Sequence, residues 1–433
     1  MTTTLSERGQ RSFSAYNVGI PEVTNNIYDE ESNPSGVISL ALSENHLIHG
    51  HVVDFINKHF KIDERTATTY TGSTIGGVDL RKAVAKHINK YFNPVVPVDV
   101  EEVGIANGVT AICSMLAFIL GDVGDGILLM RPIYGKFEND FTIVAQYIST
   151  PALLIYQANE VRCKTLYANM DDTDPFSEAV VEKYAVRLAQ AKTDGTNPRA
   201  LLICNPHNPS GRCYPKSSLI ALMKFCAQNN LHLISDEIYA LTVFETDDPS
   251  SAPFTSVLEI DTAGIIDSRF VHVEYGFSKD FGAPGLHIAV LITRNEEVQQ
   301  AFKAIGLIHA PGGPSCAIAL AMLEDNNFVE NTIKLSRTKL AENYELVTRM
   351  LDTAGITYWK GGRAGFFLWM DLSRFLPPAD GGQTDTEREK NLTDRLLEGG
   401  VFLNAGAEWA ERPGWFRLIF SDEKGKVEEG VRR

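Results

Sequence analysis

The chain has 433 residues, of which 44% are hydrophobic and 22% are charged, values that are typical of a globular protein. This length exceeds what a single hydrophobic core usually serves, so we expect two domains in close contact. The formal net charge of −15 argues against nucleic acid as a partner, because that kind of binding needs clustered lysine and arginine.

The first 35 residues predict an irregular arm, since they are polar and rich in Asn, Ser and Pro. They lack the apolar core of a secretory signal. The six cysteines, at 113, 163, 204, 213, 226 and 316, do not have the spacing of a zinc site, and no metal site is predicted. We therefore expect a cytoplasmic protein with reduced thiols.

From about residue 50 to 295, helical periods alternate with short apolar runs, which include "VGIAN", "GILLM", "ALLICN", "LHLISD", "FVHVEYG" and "IAVLIT". Runs without polar alternation indicate strands that are covered on both faces, so an α/β fold with a mainly parallel sheet is expected. The apolar stretch 111–120 predicts a buried helix, and it is too short to cross a membrane.

Beyond residue 295 the pattern indicates a smaller α+β domain. Residues 327–355 carry apolar side chains at helical spacing and end on Gly355, a suitable residue just after a helix. The stretches "AGFFLWMDLS" and "WFRLIFS" then predict strands. We expect an N-terminal arm and part of the small domain at residues 1–45, a large domain at 46–295 and a small C-terminal domain at 296–433. The last twelve residues predict a short helix, or a natural chain that continues past Arg433.

The segment "EYGFSKDFGAPGLH" at 274–287 places Lys279 between a serine and an aspartate, in a stretch that contains three glycines. Glycine lets backbone approach a ligand closely, and a lysine there can act as a nucleophile. A single lysine is far more often a surface charge, so this segment needs support from elsewhere in the chain.

That support comes from three further loops that follow apolar strands: "NGVT" at 107–110, "NPHNPSG" at 205–211 and "SDEIY" at 235–239. Ligands collect at the carboxyl ends of strands in such sheets, so these loops should converge. A lysine that bonds an aldehyde cofactor suits pyridoxal 5′-phosphate (PLP), and the loops supply its other needs. Each loop alone is a weak signal, and their joint occurrence favours the site.

PLP needs a carboxylate beside its ring nitrogen, and Asp236 is the candidate. Its ring oxygen needs donors, which Asn208 and Tyr239 supply, and its ring needs an aromatic face, for which Tyr134 is available. Its phosphate needs backbone N–H groups at a helix N-terminus. The candidates for that role are Gly108, Val109 and Thr110, directly before the stretch 111–120.

With these motifs in view, the sequence resembles the fold type I PLP enzymes of the class I/II aminotransferase superfamily over roughly residues 28 to 421. It is most similar to aminocyclopropane-carboxylate synthases and their fungal relatives, through "NPSGVISLALSENHL", "YTGSTIGGVDLRKAVA" and "PGWFRLIFS". The resemblance implies a large domain with a mainly parallel sheet between two helical layers, a smaller α+β domain, and a homodimer that acts on an amino-acid-like substrate.

The resemblance also implies residue roles. Lys279 bonds PLP and moves protons, Asp236 pairs with the ring nitrogen, Asn208 and Tyr239 contact the ring oxygen, and Tyr134 stacks on the ring. Arg417 would clamp the substrate carboxylate, a task that suits a guanidinium. Tyr70 would reach the phosphate in the neighbouring subunit, and Glu44 would contact substrate.

The chain departs from the family pattern at two phosphate anchors. Members usually have serine three residues before the lysine and arginine eight after it, and here those positions are Gly276 and His287. Ser278 compensates in part for the missing phosphate contacts. His287 either donates a hydrogen bond to the phosphate or is a neutral substitution at a position where other donors suffice. If the protonated imidazole binds the phosphate dianion, cofactor retention should fall as pH rises.

We therefore expect a lyase that eliminates at Cβ or Cγ, because a transaminase must retain a cofactor that is not covalently bound. Two activities within this class remain as alternatives: a carbon–sulfur lyase of secondary metabolism and a cyclising synthase that acts on S-adenosylmethionine. Ser43 replaces the alanine typical of true synthases, which weakens the second. The alternatives are an aminotransferase and a non-catalytic homologue.

Overall fold

A computed structural model describes residues 25–61, 73–142, 163–170, 172–379, 382–406 and 412–433, together with positions 4, 5, 10, 23, 64 and 410. Tyr70 lies outside them, so its predicted role stays a prediction.

The largest sheet has seven strands. They are β2 Val103–Asn107, β3 Asp125–Met130, β4 Cys163–Ala168, β5 Pro198–Cys204, β6 His232–Asp236, β7 Val271–Gly276 and β8 Ile288–Thr293. Their spatial order is β2-β8-β7-β6-β5-β3-β4. β8 runs antiparallel to both of its neighbours, and the other pairings are parallel. The predicted mainly parallel sheet is therefore confirmed.

Helices cover both faces of this sheet. They are α1 His49–His59, α2 Val78–Tyr91, α3 Val109–Leu120, α4 Phe137–Thr142, α5 Val180–Thr193, α6 Lys216–Asn229, α7 Phe277–Asp280, α8 Glu296–Ile305 and α9 Gly313–Glu324. Successive strand residues enter opposite apolar clusters: Leu201 and Ile203 of β5 join one, and Ala200 and Leu202 join the other. Because a strand alternates its side chains, both clusters require continuous apolar runs.

A second sheet is antiparallel, with the order β12-β13-β10-β9. Its strands are β9 Thr357–Tyr358, β10 Phe367–Asp371, β12 Asn404–Ala405 and β13 Trp415–Ile419. It lies with α10 Asn326–Thr353, α11 Asp385–Glu398 and α12 Lys424–Arg432. As predicted, α10 stops just before Gly355, whose φ of 63° is the left-handed conformation that glycine adopts readily.

The arm joins this C-terminal part of the chain. β1 Ile38–Ser39 pairs in parallel with β11 Val401–Phe402, and the Ile419 N–H donates to the Leu40 carbonyl at 2.9 Å. This pairing directs residues 41–45 towards the carboxyl ends of the large sheet. Among the described helices, none combines the length and the apolar character that crossing a membrane requires.

Candidate active site

A cavity of about 1300 Å³ opens where the parallel strands end. Asp236 is the last residue of β6, Lys279 follows β7, Asn208 follows β5 and Val109 follows β2. The predicted site residues that the structure describes all line it, namely Glu44, Gly108, Val109, Thr110, Tyr134, Asn208, Asp236, Tyr239, Ser278, Lys279, His287 and Arg417. The predicted convergence of the strand-end loops therefore occurs.

Lys279 lies on the short helix α7, and its Nζ donates to the Ser43 carbonyl oxygen at 2.6 Å. Burial, reinforced by the Arg417 charge, lowers the pKa of Lys279 from 10.5 to about 8. That shift raises the neutral fraction of the amine at pH 7 by roughly two orders of magnitude. A neutral amine is the nucleophilic form, so this lysine is suited to bond an aldehyde.

Asp236 is 5% exposed and accepts a hydrogen bond from the Ile238 N–H at 3.1 Å. Burial raises the pKa of Asp236 to about 7, the nearby Asp140 raises it further, and Lys279 opposes the shift. A buried carboxyl with such a pKa is stabilised as an anion by an added cation. A protonated pyridine nitrogen is a cation of this kind, so Asp236 fits the predicted cofactor.

Polar contacts hold Asn208 and Tyr239 in place, and each side chain keeps a hydrogen-bond donor for a ligand. Arg417 Nη1 donates to Asn208 Oδ1 at 3.1 Å, so the amide nitrogen of Asn208 is left for another acceptor. Tyr239 Oη lies 3.2 Å from Ser43 Oγ. Burial raises the pKa of Tyr239, so its hydroxyl keeps its proton at neutral pH. Both side chains are therefore able to donate to a ring oxygen.

The N-terminus of α3 forms a cradle for an anion. Gly108 precedes the helix with a φ of 88°, and a Cβ at this glycine would lie 3.6 Å from His287 Nδ1. The imidazole therefore lies close to Gly108, the residue that precedes this twelve-residue helix. Such helix ends bind phosphate, and His287 is placed to assist them. The role of His287 at the phosphate stays a prediction.

Gly276 has no room for the usual serine. A Cβ there would lie 2.9 Å from the Ile288 carbonyl oxygen and 3.3 Å from Ala289 Cα, because β7 and β8 pair closely at this point. A serine would require backbone to shift, so that anchor is lost for a packing reason. Ser278 lines the cavity two residues later.

We predict that His287→Ala weakens the affinity of the apoenzyme for PLP by about one to two orders of magnitude. A hydrogen bond to a charged group contributes about 1.5–3 kcal/mol. Titration of the apoenzyme with PLP measures the change.

The matched control is His51→Ala, because His51 Nε2 contacts Thr332 Oγ1 at 2.9 Å away from the cavity. It should bind PLP as the wild type does. A His287→Ala variant that binds PLP as tightly as the wild type would remove His287 from the phosphate site.

Arg417 provides a buried positive charge on β13. It is 3% exposed, and its Nη2 donates to the Ala41 carbonyl at 3.1 Å. Burial lowers the pKa of Arg417 to about 10, so the guanidinium stays charged at neutral pH. Glu44 lies at the cavity wall with Oε2 3.5 Å from His46 Nε2. The cavity thus presents a cation and an anion that an amino-acid-like molecule could contact.

Sequence reasoning missed two buried acids near the site. Asp140 on α4 lines the cavity, and burial raises its pKa to about 7 while the Thr110 hydroxyl opposes the shift. Glu274 is in register with Asp236 on the neighbouring strand, and Cys113 Sγ lies 3.4 Å from both of its carboxylate oxygens. Burial and the charge of Asp236 raise the pKa of Glu274. For Glu274 the sequence signal was an acidic residue inside the apolar run "FVHVEYG".

Comparisons with known proteins show the family to which the chain belongs. The family model for aminotransferase class I and II matches residues 35–433. The 1-aminocyclopropane-1-carboxylate synthase-like protein 1 of Bos taurus is 32% identical over 94% of this chain and 77% of its own length. A probable aminotransferase of Aspergillus oryzae, aclI, is 29% identical over 92% of this chain and 89% of its own length.

The chain therefore belongs to the class I and II aminotransferase family, whose members use PLP as cofactor. Its fold is also similar to a Thermus thermophilus aspartate aminotransferase tetra mutant complexed with tryptophan. That comparison has a TM-score of 0.74, covers 100% of this chain and 98% of the other, and shows 19% sequence identity. The predicted fold type I architecture is confirmed.

Proposed function

We propose that this protein is a PLP-dependent lyase that eliminates a group at Cβ or Cγ of an amino-acid-like substrate. A carbon–sulfur lyase of secondary metabolism and a synthase of aminocyclopropane-carboxylate type both fit this description. The observation that carries the proposal is the sparse phosphate anchorage, with no space for a side chain at Gly276 and a histidine at position 287.

Anchorage matters because the two reaction classes make different demands on it. A transaminase must hold its cofactor between half-reactions with no covalent link to the protein, whereas a lyase restores the link to Lys279 in every cycle. Two lost hydrogen bonds to a charged phosphate weaken non-covalent binding by about two orders of magnitude or more. The backbone cradle, Ser278 and His287 replace part of that binding. Because the lost phosphate contacts are only partly replaced, the anchorage favours a lyase over a transaminase.

In this proposal the residues that line the cavity have distinct tasks. PLP supplies an electron sink when bound, and Asp236 holds its ring nitrogen protonated. Lys279, whose pKa is about 8, removes the Cα proton of the substrate, and the group at Cβ or Cγ leaves with its bonding electron pair. Arg417 binds the substrate carboxylate as a bidentate donor, and Glu44 contacts the substrate side chain.

A homodimer is the proposed assembly. Three apolar side chains are strongly exposed near the cavity rim: Leu42 lines the cavity and is 64% exposed, while Leu307 and Ile308, just before the cavity residue His309, are 71% and 85% exposed. Isolated exposed leucines are common, but exposed apolar side chains beside a ligand site also suit a subunit interface. The cytoplasmic location stays a prediction that suits the six free cysteines.

An aminotransferase is the second candidate, and the description of the Aspergillus oryzae relative favours it. A non-catalytic homologue is a poorer fit, because Lys279, Asp236, Asn208, Tyr239 and Arg417 all face one cavity.

Incubation of the holoenzyme with cysteine conjugates, S-adenosylmethionine and common amino acids separates these candidates. Thiol, ring product, ammonia and keto acid are scored separately, with and without a keto-acid acceptor. The proposal predicts thiol or ring product independent of the acceptor. Keto acid formed in proportion to the acceptor would overturn it in favour of a transaminase, and the absence of all four products would favour a non-catalytic protein.

A further inference from the structure

The arm residue Ser43 contacts two predicted site residues through different atoms. Its Oγ lies 3.2 Å from Tyr239 Oη, and its backbone carbonyl accepts a hydrogen bond from Lys279 Nζ at 2.6 Å. Ser43 also lines the cavity. Ser43 thus contacts both Lys279, the lysine that bonds the cofactor, and Tyr239, the tyrosine placed to contact the ring oxygen of the cofactor.

The arm around Ser43 is held firmly, so these contacts have a defined geometry. Asn404 Nδ2 donates to the Ala41 carbonyl at 2.7 Å, and the Ser421 hydroxyl donates to the Glu44 carbonyl. Hydrogen bonds on both sides of Ser43 therefore tie the arm to the C-terminal part of the chain. Pre-organised contacts of this kind are what functional side chains require.

The direction of the Ser43–Tyr239 hydrogen bond decides what Tyr239 can do. A phenol carries one proton and a serine hydroxyl carries one, and either atom could be the donor at this distance. If Tyr239 donates to Ser43, its proton is not available to the cofactor. If Ser43 donates, the Tyr239 proton is left for the ring oxygen, and the two hydrogen bonds strengthen each other.

We propose that Ser43 is a positioning residue, which donates its hydroxyl proton to Tyr239 and so reserves the Tyr239 proton for the ring oxygen of PLP. The inference rests on the proposed function, because it assumes that Tyr239 contacts this oxygen. It assigns a role to the serine that distinguishes the chain from the "LAEN" form of true synthases.

The other groups that face Tyr239 stay in place when only the Ser43 hydroxyl is removed. Arg417 on β13, Cys204 on β5 and Asp236 on β6 act on it electrostatically, and Lys279 Nζ lies 6.0 Å from its ring centroid. A Ser43→Ala variant therefore isolates one hydrogen bond in an unchanged electrostatic setting.

The test is the pH midpoint of the visible absorption band of PLP bound to the holoenzyme without substrate. Hydrogen bonds to the PLP ring oxygen stabilise the anionic form of that oxygen. They thereby lower the pKa of the proton bound next to it, which is the pKa that the midpoint measures. Ser43→Ala should raise the midpoint by about a few tenths of a unit, because the Tyr239 hydrogen bond to the ring oxygen is weakened rather than removed. Ser43→Thr, which keeps the hydroxyl, should restore the wild-type value.

The matched control is Ser39→Ala, the same change four residues earlier in the arm and outside the cavity. Its midpoint should equal that of the wild type. An unshifted Ser43→Ala, or a Ser43→Thr that behaves like it, would overturn the role of Ser43 while leaving the cofactor site intact. A wild-type protein with no visible band would instead count against the proposed function itself.

Discussion

Lys279→Ala is expected to yield a colourless protein whose turnover falls by at least about three orders of magnitude. The side chain supplies both the covalent link to PLP and the base for the Cα proton, and proton transfer by a positioned group alone contributes about 10²–10⁴-fold. Its lowered pKa and its place at the cavity wall are the physical grounds for that dual role. Absorbance of the purified protein and single-turnover kinetics measure the two losses.

Lys339→Ala is the matched control. Its Nζ also donates to a backbone carbonyl near the arm, that of Leu47 at 3.1 Å, but it does not line the cavity. This variant should keep the colour and the turnover of the wild type. A coloured, active Lys279→Ala protein would refute the covalent role, and with it the mechanism proposed here.

The fold was predictable where one physical signal dominated. Strands β2, β3 and β5–β8 have long apolar runs because both of their faces are covered. Strand β4 was missed: it lies at the edge of the sheet, and Lys164 within it is exposed, which breaks the apolar run. The predicted domain boundaries at residues 45 and 295 stay predictions.

The candidate site was predictable to the extent that the chain concentrates it at strand ends. Asp236 ends an apolar strand, and Asn208, Tyr239 and Lys279 each follow one, so topology alone brings them together. The contacts of Ser43 are different, because 236 positions separate it from Lys279. They depend on the pairing of β1 with β11, two-residue strands that carry no periodic signal.

Asp236→Asn is expected to lower kcat/KM by about two to three orders of magnitude. Asparagine keeps the shape and the oxygen that accepts the Ile238 N–H, but it removes the charge that holds the cofactor nitrogen protonated. Breaking a buried charge pair removes about 3–5 kcal/mol, and most of this loss should appear in the transition state, where negative charge develops on the cofactor.

The same substitution should stabilise the apoprotein, and the sign follows from the pKa. Burial raises the pKa of Asp236 from 3.8 to about 7, so the unfolded chain loses this proton at lower pH than the folded chain does. Stability that is present below pH 4 is therefore lost as pH rises through 7. Asparagine has no such dependence, so the gain in Tm over the wild-type apoprotein should grow between pH 4 and pH 8.

Glu237→Gln separates the charge at the cavity from buried acidity in general. Burial raises the pKa of Glu237 to about 7 as well, but its Oε1 accepts from the Val257 N–H at 2.9 Å, and it does not line the cavity. This variant should show the pH-dependent gain in apoprotein Tm and keep turnover within a few-fold of the wild type. If both variants lost activity equally, the effect of Asp236→Asn would reflect disruption of the sheet rather than the loss of a charge opposite the cofactor. If only Asp236→Asn loses activity while both gain stability, the carboxylate of Asp236 acts on the bound cofactor at a cost in stability to the empty protein.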